Sequence, residues 1–213
     1  MIYRKYIKRI IDILGSLLGI VLFSPIMILT SIWIKIVSPG GPVLADIPNR
    51  VGKDKKPFRF YKFRSMYPNA HELLKKDAEL YDKYVKNNYK LSTDEDPRLI
   101  KGGKFLRKSS IDETPQFFNV LKGEMSIVGP RAYYFDEMED QLKRFPEARK
   151  YIDEVMKVKP GITGLWQVSG RSDIGFVDRV KLDAEYAKKM SLLYDLMIIL
   201  KTPYVVLTGK GAI

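Results

Sequence analysis

Apolar positions are concentrated at one end of the chain. Residues 10–37, IIDILGSLLGIVLFSPIMILTSIWIKIV, form its longest apolar run, and no charge falls between Ile13 and Ile34. About 20 apolar residues are enough for a helix to cross a bilayer. Pro25 sits mid-run, where it has no N–H for the carbonyl four residues back and its ring crowds that carbonyl. Ser24 can bond back to the previous turn and absorb part of the kink. Arg4, Lys5, Lys8 and Arg9 precede the run; Arg50, Lys53, Lys55, Lys56, Arg59, Lys62 and Arg64 follow it. Cytoplasmic flanks of membrane segments carry the excess of Lys and Arg. A helix that enters, breaks at Ser24-Pro25 and returns to the same face satisfies both flanks. A kinked span also fits the apolar pattern, because membrane helices tolerate proline. A cleaved signal peptide does not, since the apolar core is too long and no small-residue cleavage site follows.

Beyond the breakers Ser38-Pro-Gly-Gly-Pro42 the pattern shortens. Residues 43–45 and 58–63 read as strands, the second alternating aromatic and basic residues. Asn69 suits the cap of a helix running to about Asn87, which carries His71 as an ordinary helix residue. Residues 94–98 and Gly102-Gly103 read as loops. A helix is expected over 113–121, stopped at Lys122-Gly123, and two more over 133–145 and 146–156. Residues 159–172 are Gly-rich and read as irregular around Trp166, and 176–190 as an amphipathic helix. The last apolar stretch, 192–207, is too short and too interrupted to span; core and interfacial helix both fit. The pattern predicts an α+β, mostly helical fold in two parts. Residues 1–40 form the basic N-terminus and the membrane segment, a re-entrant helix-break-helix or a kinked span. Residues 41–213 form a small cytosolic-face domain with short strands and amphipathic interfacial helices.

Composition narrows the chemistry. There is no cysteine and one histidine, which removes disulfides, thiolate zinc, cysteine nucleophiles and multi-His metal sites. Carboxylates, lysines and arginines remain. The net charge of +12 asks for an anionic partner. Residues 1–64 hold twelve Lys/Arg and three acids, so the charge lies with the apolar run, which favours a membrane surface over nucleic acid. Asp112-Glu113 is the focal pair. Adjacent acids ordinarily mark a solvated helix start. Here Lys104, Arg107 and Lys108 lie upstream and Arg131 follows a Gly-Pro turn. Paired carboxylates among arginines suit a divalent cation with phosphate, because Mg²⁺ takes one or two carboxylates plus phosphate oxygens and guanidinium forks match phosphate. With oxygen donors only, Mg²⁺ or Mn²⁺ is favoured over Zn²⁺.

Several blocks occur in order: the Ser24-Pro25 break, Tyr61-Lys62-Phe63-Arg64-Ser65-Met66, Asp96-Pro97-Arg98, residues 105–116 (FLRKSSIDETPQ), residues 118–126 (FNVLKGEMS), Val128-Gly129-Pro130-Arg131, and residues 159–171 (KPGITGLWQVSGR). Over nearly the whole chain they resemble the monotopic phosphoglycosyl transferases, bacterial sugar transferases that load a sugar phosphate onto polyprenyl phosphate. The resemblance implies a UDP-sugar donor, a polyprenyl (undecaprenyl) phosphate acceptor and Mg²⁺. It implies the cytoplasmic face of the bacterial inner membrane, contact with its lipid, and no nucleic acid. A homodimer is left open. It further implies Asp112 as nucleophile, forming a phosphosugar-aspartate, and Glu113 as its metal-binding partner. Lys62, Arg64, Arg107, Gln116, Arg131, Arg171 and Asp195 are the expected substrate-binding residues; Asp195 could instead pair with Lys201 or Arg179. Thr114 stands where the family usually has Leu, and Ala132 where a second proline is common. The extra membrane helices and soluble domain of longer members are absent, so the chain is expected to be the catalytic unit alone. The Leu165–Arg171 form is closer to hexose-1-phosphate members, galactose or glucose, than to N-acetylated ones. The competing reading is a non-enzymatic, membrane-anchored module whose basic patch binds anionic lipid or nucleic acid.

Overall fold

The computed structural model describes residues 2–86, 91 and 96–208. A π-helical turn, Tyr3–Ile7, leads into α1, Lys8–Val37. The expected interruption at Ser24-Pro25 is not there: α1 is one continuous helix with Pro25 inside it. The carbonyl that Pro25 leaves without a donor belongs to Val21, and the Ser24 hydroxyl donates to it at 2.8 Å. That substitute bond lets the helix continue through the proline.

The polarity of α1 is inverted relative to a soluble helix. Its buried stripe is Lys8, Asp12, Ser16 and Gly19, then Met27, Thr30 and Ile34. Its exposed residues include Ile10, Leu14, Leu18, Val21, Leu22, Ile28 and Leu29. Water would favour the reverse arrangement, so the outer face suits hydrocarbon. Among the described residues, Tyr3–Val37 is the one helix long and apolar enough to cross a membrane by length and composition. Both ends of α1 dock on the rest of the chain. At its start, Arg9 donates to the Val120 and Leu121 carbonyls at 2.7 and 2.8 Å. The Asp12 carboxylate accepts from the Ser126 hydroxyl and the Ile127 N–H at 2.8 and 2.9 Å. In the middle, Gly19 packs on Phe117; a Cβ there would lie 2.5 Å from the ring. At the far end Ile34 joins a core with Phe63, Ile100 and Leu106, and the Trp33 indole donates to the Lys101 carbonyl.

The strands are shorter than the pattern predicts. β1, Arg50–Val51, pairs antiparallel with β2, Pro57–Phe58. Leu44 makes a single antiparallel bridge to Phe63. Residues 59–61 are extended but tied by one side chain: Asn119 accepts from the Tyr61 N–H and donates to the Arg59 carbonyl. The helix expected from Asn69 is two, α2, Ala70–Lys75, and α3, Ala78–Lys86. Asp77 ends one and caps the next, its carboxylate accepting from the Leu80 N–H at 3.0 Å. Asn69 makes no side-chain cap bond, and Asn87 lies outside the described residues.

α4, Gly103–Lys108, and a 3-10 turn, Ile111–Glu113, precede α5, Gln116–Lys122, which stops at Gly123 in the left-handed region as expected. β3, Ser126–Val128, pairs in parallel with β4, Gly161–Thr163. Between them run α6, Phe135–Arg144, a 3-10 turn at Pro146–Ala148, and α7, Arg149–Val155. The segment expected to be irregular therefore holds β4 and α8, Leu165–Ser169, followed by a 3-10 turn. Its glycines serve close approach: a Cβ on Gly161 would lie 2.0 Å from the Gly129 nitrogen.

α9, Phe176–Lys189, packs on α7 through Val180 and Ala184. α10, Leu192–Thr208, repeats the inversion of α1, burying Asp195 and Ile198 while exposing Leu193, Leu200 and Leu207. It is thus core on one side and apolar surface on the other. Asp195 is 2% exposed and accepts from the Lys8 ammonium at 2.6 Å and from the Tyr3 and Tyr186 hydroxyls at 2.5 and 2.7 Å.

That knot ties the first helix to the last. Asp195→Ala should leave the Lys8 ammonium buried without its partner and cost about 3–5 kcal/mol. Urea unfolding of the detergent-solubilised protein reads the loss; an unchanged midpoint would show that the pair carries no net stability.

Candidate active site

The 3-10 turn Ile111–Glu113 follows Ser110, which sits in the left-handed region at φ 57°. That turn places the two acids differently. Asp112 is 1% exposed, whereas the Glu113 side chain is 41% exposed. The Asp112 carbonyl accepts from the Phe63 N–H at 2.8 Å, which sets the extended 59–63 segment beside the acids. Lys62, on that segment, bridges them: its ammonium is 2.9 Å from Asp112 Oδ2 and 3.2 Å from Glu113 Oε1. Burial pushes the Asp112 carboxyl up, against the opposing pull of Lys62. Burial also works to raise Glu113, but Lys62, Arg131 and Gln116 outweigh it and hold it below the ordinary range. Desolvation of Lys62 is likewise outweighed by the two carboxylates, which raise it.

These residues face a cavity of about 650 Å³. Its charged lining is Arg50, Lys62, Arg98, Arg107, Arg131 and Arg171 against Asp112 and Glu113. Each cation is placed by a different element. Arg107, on α4, donates from Nε to the Ser65 hydroxyl at 3.0 Å. Arg131 follows Gly129-Pro130 off β3 and lies over the Trp166 ring of α8, 5.3 Å from its centroid. Arg171, in the left-handed region at φ 53°, reaches Ser110 at 3.3 Å, so two strained residues meet beside the dyad. Gln116, 1% exposed, lines the same wall. Buried polar atoms without a partner cluster here: Arg50 Nε, Arg131 Nε, Trp166 Nε1, Gln167 Oε1 and Arg171 Nη1. Native interiors satisfy such groups; a bound polyanion with oxygen acceptors would satisfy the guanidinium and indole donors.

Five of the expected substrate-binding residues thus converge with the dyad: Lys62, Arg107, Gln116, Arg131 and Arg171. Two do not line the cavity. Arg64 clamps the Ser38–Pro42 turn, donating to the Pro42 carbonyl at 2.7 Å and to the Ser38 hydroxyl and carbonyl at 2.6 Å. Asp195 pairs with Lys8, not Lys201 or Arg179.

Some site residues carry no assigned role in the sequence reading. Arg50 is sandwiched between Tyr134, 3.2 Å from the ring centroid, and Phe60 at 5.0 Å, and burial pushes it down to about 10. Nothing local separates it from the neighbouring basic residues. Arg98 lines the cavity while held by Asp96 at 2.7 and 2.8 Å; the Asp-Pro-Arg block was its only signal. Behind Arg131, Asp183 is fully buried on α9 and accepts from the Arg131 N–H and the Tyr133 hydroxyl, both at 3.1 Å.

Among the described residues no three His, Cys, Asp or Glu side chains come together. Asp112 and Glu113 supply hard oxygen donors without nitrogen or sulfur competitors, which fits Mg²⁺ completed by substrate phosphate oxygens.

Residues 3–209 match the model of the bacterial sugar transferase family. The chain belongs to that family. It is similar to the undecaprenyl-phosphate galactose phosphotransferase of Salmonella typhimurium, 42% identical over 98% of this chain and 42% of that protein. A UDP-N-acetylgalactosamine-undecaprenyl-phosphate N-acetylgalactosaminephosphotransferase of Aeromonas hydrophila is 39% identical over 97% of this chain and 45% of its own length. The exopolysaccharide production protein ExoY of Sinorhizobium fredii is 36% identical over 96% of this chain and 87% of its own. The chain spans less than half the length of several of these family members.

Burial lifts the Asp183 carboxyl to about 7, despite bonds from Arg131 and Tyr133 that favour its ionised form. A raised folded-state pKa gives stability that is present at low pH and lost as pH rises through the folded value. Asp183→Asn, which mimics the neutral acid, should match the parent's thermal midpoint below the ordinary carboxyl value of 3.8, gain on it progressively as pH rises from there, and exceed it most above about 7. Equal pH dependence in the two proteins would contradict the shift.

Proposed function

We propose that this enzyme transfers a sugar-1-phosphate from a UDP-sugar to a polyprenyl phosphate, giving polyprenyl-diphosphate-sugar and UMP through a covalent intermediate on Asp112. The observation that carries the reading is a nearly inaccessible carboxylate on the wall of a cavity whose cationic lining is Lys62 and five arginines. In the first step an Asp112 carboxylate oxygen bonds to the sugar-bearing phosphorus. The bridging P–O bond breaks and its electron pair leaves on UMP. In the second, a phosphate oxygen of the lipid bonds to that phosphorus and the aspartate leaves. One phosphoanhydride is broken and another formed, so no further energy source is needed, and the covalent stage splits one transfer into two.

The cavity residues answer the charge problem of an anion attacking a diphosphate. Lys62 opposes the effect of burial on Asp112 and favours its ionised form. Arg107, Arg131 and Arg171 offer donors to phosphate oxygens, with little reorganisation because each is already held by a neighbour. Asp112 and Glu113 would hold Mg²⁺ or Mn²⁺ together with the substrate. When bound, that ion supplies charge neutralisation on the diphosphate. The relatives include proteins named as a galactose phosphotransferase, a glucose-1-phosphate transferase and an N-acetylgalactosaminephosphotransferase. The hexose preference expected from residues 165–171 is therefore left to a donor panel.

Asp112→Asn should abolish UMP release and product formation, and intact mass spectrometry with UDP-sugar and no acceptor should show a phosphosugar adduct on the Asp112 peptide. An active Asn variant would move the chemistry elsewhere. Glu113→Gln should fold normally and lose roughly 10²–10³ in rate, and EDTA should silence the parent until Mg²⁺ is restored. Absence of any UMP release from UDP-sugars would favour a binding module.

We further propose that the protein sits on the cytoplasmic face of the inner membrane, with α1 bent at Pro25 but unbroken, so that both of its ends reach that face. Support comes from the docking of both ends of α1 on one domain, although a straight helix of its 30 residues would extend ~45 Å. The chain has no cysteine, so single cysteines can be placed near residues 3 and 55. Both should be shielded from a thiol reagent restricted to the periplasm; labelling of one alone would establish a span.

A further inference from the structure

A second cavity, of about 640 Å³, lies along the middle of α1. Ile20, Met27, Ile28 and Ile32 form one side, and Phe63 and Phe118 belong to the other. Its chemistry is opposite to that of the catalytic cavity. Three hydroxyls line it: those of Ser24 and Ser31 are spent on their own helix, donating to the Val21 and Met27 carbonyls at 2.8 and 2.7 Å, and that of Tyr61 accepts from the Lys122 ammonium. None of the partnerless buried polar atoms among the described residues belongs to a residue that lines it. Water needs two or more polar partners to occupy a cavity, and a sugar or nucleotide needs more. A hydrocarbon guest needs none.

Three features indicate which hydrocarbon. The groove is continuous with the apolar outer face of α1: Ile28 and Ile32 line it and are 60% and 52% exposed. It has one charged lining residue, Lys122, whose ammonium bonds the Tyr61 hydroxyl, and a cation complements an anionic head group. Finally, groove and catalytic cavity share their walls. Phe63 faces the groove and Lys62 the cavity; Pro115 the groove and Thr114 the cavity; Phe118 the groove and Phe117 the cavity; Ser24 the groove and Phe23 the cavity. The backbone N–H of Phe63 itself donates to Asp112.

We infer that this groove binds the isoprenoid chain of the polyprenyl phosphate acceptor, apart from the cavity that takes the nucleotide sugar. The inference rests on the transferase reading above and adds where the lipid lies. Seating the chain beside Asp112 would limit the acceptor's search for the phosphosugar-aspartate to motion along the groove.

The test separates the two half-reactions and varies the acceptor's length. Ser31→Phe and Ile28→Trp add bulk to the groove without touching the catalytic lining. Each is assayed in the same detergent with undecaprenyl, geranylgeranyl and dimethylallyl phosphate, after thermal unfolding shows that it is folded. KM for the two longer acceptors should rise roughly tenfold or more, the factor expected from losing a few methylenes of apolar contact. KM for dimethylallyl phosphate, too short to use the groove, should stay within twofold. Equal loss with all three acceptors, or no loss with any, would overturn the inference. A parent protein that releases no UMP from UDP-sugar would instead bring down the transferase reading, before the groove is tested. In the unmutated protein, an undecaprenyl phosphate carrying a diazirine in its early isoprene units should crosslink to the α1 peptide containing Ile28 or to the α5 peptide containing Phe118. Crosslinks confined to other segments, or groove crosslinks that excess phospholipid competes away as well as excess undecaprenyl phosphate does, would assign the groove to bulk lipid.

Discussion

Everything in this molecule hangs from the polar stripe that α1 buries. A helix surrounded by hydrocarbon gains nothing by hiding leucine, so its specificity must come from the groups it cannot leave in lipid. Lys8 and Asp12 are such groups. Lys8 fixes α10 through Asp195. Asp12 fixes β3 through the Ser126 hydroxyl and the Ile127 N–H. β3 pairs with β4, and the exchange continues past it: the Gly129 N–H donates to the Thr163 carbonyl and the Gly161 N–H to the Pro130 carbonyl, each at 2.9 Å. The next residue is Arg131, in the catalytic cavity. A carboxylate on the membrane helix and a guanidinium in the site are thus connected by one short run of hydrogen bonds.

The site solves an electrostatic conflict by dividing two carboxylates between two environments. Side by side in water they would titrate almost alike. Here the 3-10 turn buries one and leaves the other partly open, and a single ammonium touches both. Burial makes Asp112 the more basic of the pair, and Lys62 pulls the other way. Glu113, lowered and open, remains available to a cation. The arginines surround this pair, and Arg50, Arg131 and Arg171 each keep one buried N–H without a partner.

Legibility in the sequence followed how local each cause is. The apolar run, the Gly123 stop and the Asp112-Glu113 focus are carried by a few consecutive residues and were readable. Lys62, Arg107, Gln116, Arg131 and Arg171 were named through motif resemblance, and the structure brings them together. Arg64 belongs to the same blocks yet serves the turn at Ser38–Pro42; its three acceptors lie more than twenty residues away, which no spacing reveals. Asp195 was legible as an oddity, one acid in an apolar stretch, but its partner Lys8 is 187 residues distant. β3 and β4 were missed because three-residue parallel strands leave no period to detect, and the glycines that let them approach look like loop glycines. Pro25 was read correctly as a disruption and incorrectly as a break, because Ser24 repairs the bond that proline removes.

That repair also explains why the same short segment can serve both anchor and site. A full break at Pro25 would expose unsatisfied carbonyls in the least polar part of the molecule, at a cost of several kcal/mol each. With the Val21 carbonyl satisfied by Ser24, the mid-helix surface stays apolar, and Phe23 is free to stack on Phe117 with ring centroids 5.7 Å apart. Those two rings line the catalytic cavity on one side while their sequence neighbours, Ser24 and Phe118, line the apolar groove on the other. A polar cavity and an oily one can share so thin a wall only if the wall has no hydrogen-bonding debts of its own. Aromatic rings, a proline and a self-satisfied serine meet that condition, and they are the residues found there.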